Sequence, residues 1–185
     1  MDKPEIRFLP ACELRVDGEG GTRKIVGYAA VFNSFSEPLG GFREIIRPGA
    51  FSRAIANNAD VRALVDHDPS RILGRTASRT LRLREDDRGL RYEVDLPDTS
   101  AGRDIAESIR RGDVSGSSFA FRALKDTWRT ENGEDIRELH DVDLFDVSPV
   151  TYPAYPATDA AMRSRDQWKN QTSNDYALRN WLATL

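Results

Sequence analysis

The chain has 185 residues, with 27 Lys and Arg against 30 Asp and Glu, for a formal net charge of -3. That length supports one domain with a real core, and 31% charged with 39% hydrophobic residues is a globular composition. The mixed, mildly acidic charge leaves no electrostatic footprint for nucleic acid, no apolar run reaches a membrane span, and the first residues lack the apolar segment of a secretory signal. The single cysteine, Cys12, cannot close an internal disulfide and reads as a small apolar residue near a strand rather than as a nucleophile. With only two histidines beside it a metal site is poorly supplied, so neither metal nor cofactor is expected.

In chain order, the opening residues read as an arm or edge strand that ends at Asp17-Gly18-Glu19-Gly20-Gly21. Lys24 to Phe32 is an apolar, β-rich run, buried on both faces. A loop through Pro38 leads to a short strand, Phe42 to Arg47, and Pro48 opens a short helix with Phe51, Ala54 and Ile55 at helical spacing. Val61 to Val65 is a short strand that runs into Asp66-His67-Asp68-Pro69. Leu81 and Leu83, then Leu90, Tyr92, Val94 and Leu96, alternate with charged residues around the turn Asp86-Asp87-Arg88-Gly89, which predicts a hairpin with one buried face.

Ser100 to Arg111 is the strongest helix, with Thr99 or Ser100 as cap, Arg110 and Arg111 at its negative end and Gly112 as the C-terminal glycine. Val114 to Ala123 follows as a strand carrying Ser115-Gly116-Ser117-Ser118, and Asn132-Gly133 signals a hairpin into a strand over Ile136 to Val150. Tyr152-Pro153-Ala154-Tyr155-Pro156 breaks regular structure. These elements predict a β-rich α+β domain over residues 1–160: a closed or nearly closed barrel of mostly antiparallel strands with a few helices outside. A tail over 161–185 holds a polar linker, then a short amphipathic helix built on Leu178, Trp181, Leu182 and Leu185.

Three groups of residues carry possible chemistry. His67 stands between two aspartates at a strand end, where it serves proton transfer or simply occupies an acidic surface turn. The serine run offers a nucleophile with backbone space at Gly116, or an ordinary helix-to-strand loop. Glu138, Asp141, Asp143 and Asp146 lie on one strand, so in a regular strand Asp141 and Asp143 share a face while His140, Asp146 and Ser148 share the other. One of them orients His67 if a triad exists, and a solvated strand face is the plain alternative.

Six short segments occur in an order that resembles the HK97-like prohead proteases of tailed phages. They are Gly27-Tyr28-Ala29-Ala30-Val31-Phe32, Glu44-Ile45-Ile46-Arg47-Pro48-Gly49-Ala50-Phe51, Leu64-Val65-Asp66-His67-Asp68, Ile72-Leu73-Gly74-Arg75-Thr76, Gly112 to Phe121, and Leu144-Phe145-Asp146-Val147-Ser148-Pro149-Val150-Thr151. The resemblance spans about Ile25 to Ala160. It implies a serine endopeptidase that degrades scaffold and trims capsid protein inside the immature shell, in the bacterial host, with a fold similar to the barrel of the herpesvirus capsid protease. It places the family histidine on His67 and the serine on Ser118, with Ala120 where glycine is usual; Ser115 is the runner-up. Asp146 matches the acidic position of the Leu-x-acid-Val-Ser stretch, while His140 and Asp143 are alternatives. Capsid and scaffold proteins, and the chain itself, are the implied substrates; homodimerisation is left open. An inactive virion barrel of the same fold and an unrelated intracellular hydrolase are the competing readings, and the tail is read as a propeptide or docking element.

Overall fold

The computed structural model describes residues 4–10, 13–19, 23–152 and 159–182, with side chains in the last stretch given for 161–173. Cys12 lies outside the described residues. The chain folds as β1 (Glu5–Leu9), β2 (Arg15–Asp17), β3 (Lys24–Val31), β4 (Phe42–Ile46), α1 (Ser52–Ala56), β5 (Arg62–Val65), β6 (Asp68–Arg75), β7 (Leu81–Glu85), β8 (Gly89–Asp95), α2 (Ser100–Arg111), β9 (Gly116–Glu131), β10 (Glu134–Val150) and α3 (Asp159–Leu182).

Sequence chemistry accounts for most of these elements. Thr99 caps α2 by accepting the Gly102 N–H at 3.2 Å, and Gly112 closes the helix at φ 80°. Asn132 and Gly133, at φ 52° and 82°, make the two-residue turn between the long strands β9 and β10, as an Asn-Gly pair favours. Tyr92 and Val94 of β8 are fully buried, while Arg91 and Glu93, which alternate with them, reach the surface, where they pair with each other.

The strands form two sheets. In one the order is β1-β9-β10-β5-β6, with β4 also paired to β10; in the other it is β2-β3-β8-β7. Neither sheet closes on itself, so the described pairings do not make the barrel expected from the sequence. Most pairs are antiparallel, but β4 and β5 both run parallel to β10. β10 is therefore the hub: it holds β9 along its length and receives β4 and β5 on its other edge. Between the sheets lies one core, in which Ile25, Tyr92, Phe119, Phe121, Leu139 and Val147 are each 0–1% exposed.

A second, smaller cluster corrects the expected linker. Arg163 to Thr172 is not a linker but part of the continuous helix α3. Ala161 packs with Leu39 and Phe42, and Trp168 stacks on Trp128 of the β9–β10 hairpin with centroids 6.0 Å apart. Lys169 adds an ion pair to Asp135 at 2.6 Å. Helicity here comes from packing against the hairpin, which a local pattern does not contain. The side chains of Leu178, Trp181 and Leu182 are outside the described set, as is Leu185.

Candidate active site

The site lies where β9, β10 and the β5–β6 turn meet. Asp66 and His67 are the two central residues of that turn, flanked by the paired Val65 and Asp68. Both adopt positive φ, 51° and 59°, as a two-residue hairpin turn requires, and Asp and His tolerate that region better than most residues. The turn thrusts the His67 ring toward the start of β9, at Ser118.

On β9, alternation separates the serines. Ser117 points into the core, where its hydroxyl lies 2.8 Å from that of Tyr92. Ser118, 1% exposed, faces the other way. The ladder sets Ser118 opposite Ser148, Ala120 opposite Asp146 and Arg122 opposite Asp143. Residues directly opposite in a ladder share a face, so all six lie on the His67 side. A bulge at Phe145, between Leu144 and Asp146, is what brings Asp143 onto this face, where a regular strand would have put it on the reverse.

Three side chains form a continuous chain. His67 Nδ1 lies 2.6 Å from Asp146 Oδ1, and His67 Nε2 lies 2.7 Å from Ser118 Oγ. A carboxylate only accepts, so Nδ1 carries the proton and Nε2 offers its lone pair to the Ser118 hydroxyl. Ser148, fully buried, donates to the same Asp146 oxygen at 3.0 Å and so fixes the carboxylate. Acid, imidazole and hydroxyl in this order and spacing can withdraw the serine proton as the oxygen attacks a carbonyl.

Ser118 has a second acceptor. Its hydroxyl also lies 2.9 Å from the backbone carbonyl of Arg7, because β1 pairs along β9 with Phe8 opposite Ser118. One hydroxyl proton thus faces two acceptors. β1 is anchored by a buried ion cluster: Arg7 pairs with Glu44 and Glu5 at 2.8 Å each, and Arg137 pairs with Glu5 at 2.7 Å and Asp126 at 2.6 Å. Burial opposes the charge on both arginines, but Glu44 and Glu5 outweigh it and hold their pKa values above the usual range. Sequence reading gave no sign of this carbonyl, since it is a backbone atom 111 residues from Ser118. A groove of about 420 Å³ runs beside β1, lined by residues including Ile6, Phe8, Ala30, Phe35 and Ile46; His67, Ser118 and Asp146 do not line it.

The remaining candidates do not join this chain of hydrogen bonds. Ser115 is exposed and precedes β9. His140 is 2.8 Å from the Thr127 hydroxyl, nine residues up β9 from Ser118, on the order of 30 Å at strand rise. Asp143 is held by Arg53 at 2.7 Å and by Arg122 at 2.5 Å, which together keep its carboxyl below the usual range. Arg75 is paired with Asp60.

A family profile described as caudovirus prohead serine protease matches residues 11–172. The chain belongs to this family. It is therefore a serine peptidase of the phage capsid-maturation class. Among solved structures it is similar in fold to the capsid assembly protease gp21 of bacteriophage T4, with a TM-score of 0.54 at 13% identity, covering 80% of this chain and 99% of that one. A comparison with curated proteins finds no match. The profile covers the three residues of the chain Asp146–His67–Ser118, and the protease carries each on an element of its central sheet or the turn beside it.

Proposed function

We propose that the protein is a serine endopeptidase that cleaves scaffold and capsid proteins, and itself, inside the immature phage capsid in the host cytoplasm. Ser118 is the nucleophile, His67 the general base and Asp146 the group that holds His67 in the required tautomer. The observation that carries this reading is the hydrogen-bonded chain from Asp146 Oδ1 through both His67 nitrogens to Ser118 Oγ, at 2.6 and 2.7 Å.

In the first step Ser118 Oγ attacks the peptide carbonyl and its proton passes to His67 Nε2. The resulting imidazolium is stabilised by Asp146, which Ser148 keeps oriented. His67 then returns the proton to the leaving amine, and water releases the acyl group by the same route. An extended substrate would lie along β9 as β1 does, with its carbonyl at Ser118; β1 must move aside for a second chain to pair there. The family membership supports the peptidase class, and the neighbour named as a capsid assembly protease supports capsid and scaffold as substrates. Residues 161–185 are read as a propeptide or as an element that docks onto a partner or scaffold, beside a protease domain over 1–160.

Self-cleavage tests this directly. The full chain expressed alone should shorten over hours, while Ser118→Ala and His67→Ala stay intact and Ser115→Ala behaves as the parent. Cleavage by Ser118→Ala would remove the nucleophile from this reading.

A further inference from the structure

The turn that presents His67 contains a second carboxylate that the reaction does not use. Asp66 and His67 both sit in the left-handed region, at φ 51° and 59°. Two successive non-glycine residues hold such a conformation only where the surroundings enforce it. Here the enforcement comes from the end of β10. The Asp66 carboxylate accepts the Thr151 backbone N–H at 2.7 Å and the Thr151 hydroxyl at 3.1 Å. The Asp66 N–H donates to the Pro149 carbonyl at 3.1 Å. Three hydrogen bonds therefore staple the turn to the segment that begins one residue after Ser148 and three after Asp146. They span about 85 residues of sequence, so they are not a local feature of the turn.

We propose that Asp66 is a positioning residue: by tying the turn to Pro149 and Thr151, it fixes the distance between the His67 ring and the β10 strand that carries Asp146. The relation is geometric. His67 must reach Asp146 with one nitrogen and Ser118 with the other, and both targets lie on the β9–β10 ladder. The turn is joined to that ladder near the ring by the Asp66 staple, while the β5–β10 pairing holds it farther back, at Arg62 and Ala63. Without the staple the tip of the hairpin pivots about that pairing and the ring leaves its two partners. This inference rests on the assignment of His67 as the base.

Three substitutions separate the contributions. Asp66→Asn keeps a side-chain oxygen for the Thr151 N–H and a residue at ease in left-handed backbone. Asp66→Gly keeps the backbone freedom and the backbone bond to Pro149 but removes the two side-chain bonds to Thr151. Asp66→Ala removes the backbone freedom as well, so Asp66→Gly carries the test if Asp66→Ala does not fold. The readout is the second-order rate at which a fluorophosphonate labels the full chain across pH 5–9. In that reaction Ser118 Oγ displaces fluoride from phosphorus and His67 takes up the proton, so the rate reports the base and needs no substrate pocket. We expect Asp66→Gly and Asp66→Ala to slow labelling by about 10- to 100-fold, by analogy with the cost of losing a group that orients a metal-ligating histidine. Asp66→Asn should restore it to within about 3-fold, and the low-field proton resonance of His67 Nδ1 should be lost in Asp66→Gly and kept in Asp66→Asn. Labelling of Asp66→Gly within 3-fold of the parent, with the resonance intact, overturns the positioning role. His67→Ala and Ser118→Ala run in parallel: if they too label at the parental rate, the catalytic reading itself has failed, whereas their loss beside an unaffected Asp66→Gly sinks only the staple.

Discussion

The Ser118 hydroxyl has one proton and two acceptors, His67 Nε2 at 2.7 Å and the Arg7 carbonyl at 2.9 Å. Which acceptor takes it depends on Asp146, because only a histidine protonated on Nδ1 presents a lone pair at Nε2. Asp146→Asn should therefore cost about 10⁴ in kcat, the scale found when a triad acid loses its charge but keeps its shape. Asp143→Asn, although on the same face, should change kcat by less than about 3-fold, since its carboxylate serves Arg53 and Arg122. Peptide-hydrolysis rates for the two variants decide between them. At this scale the sequence was partly legible. The motif match pointed to His67, Ser118 and Asp146, and the structure brings these three within hydrogen-bond reach. Alternation put Asp143 on the face opposite Asp146, and that expectation fails at the Phe145 bulge, which nothing local announces.

At the scale of elements, ion pairs add to the ladders that hold β1 and β4 to the central sheet. Glu138 of β10 binds Arg47 at 2.7 Å and Arg129 at 2.9 Å, and these arginines draw its carboxyl down from 4.5 to about 2 against the opposing effect of burial. A pKa lowered in the folded state adds stability that is complete above the unfolded value, near 4.5, and is lost as pH falls through about 2. Urea midpoints of the parent should therefore drop more steeply between pH 5 and pH 2.5 than those of Glu138→Gln; parallel curves would contradict this. Gly116 makes room for β1, since a Cβ there would lie 2.2 Å from the Phe8 ring. Gly116→Ala should cost about 1–3 kcal/mol in urea unfolding and speed amide exchange in β1 before other strands. Most elements were legible as period, cap and turn chemistry. β6 was not: Pro69 and the flanking polar residues argue against a strand, but β6 is the last strand of its sheet and Pro69 stands at its start, where a missing N–H costs no ladder bond.

For the whole molecule, two open sheets share one core, and α3 lies against the hairpin through a separate apolar cluster. The barrel inferred from many short strands needs pairings between distant segments, and strand patterns carry no information about those partners. The same holds for the parallel pairings of β4 and β5 with β10. Trp168 marks the docked tail: Trp168→Ala should lower stability by about 1–2 kcal/mol through loss of its stacking on Trp128, measured by urea unfolding, while leaving phosphonylation of Ser118 within 2-fold. The central claim is that one hydroxyl in this chain is activated, and by His67. Its most direct measurement is peptide mapping by mass spectrometry after fluorophosphonate treatment of the full chain and of His67→Ala. The account predicts a single adduct on Ser118 in the former and none in the latter; an adduct on Ser115 or elsewhere, or one on Ser118 that survives in His67→Ala, would contradict it.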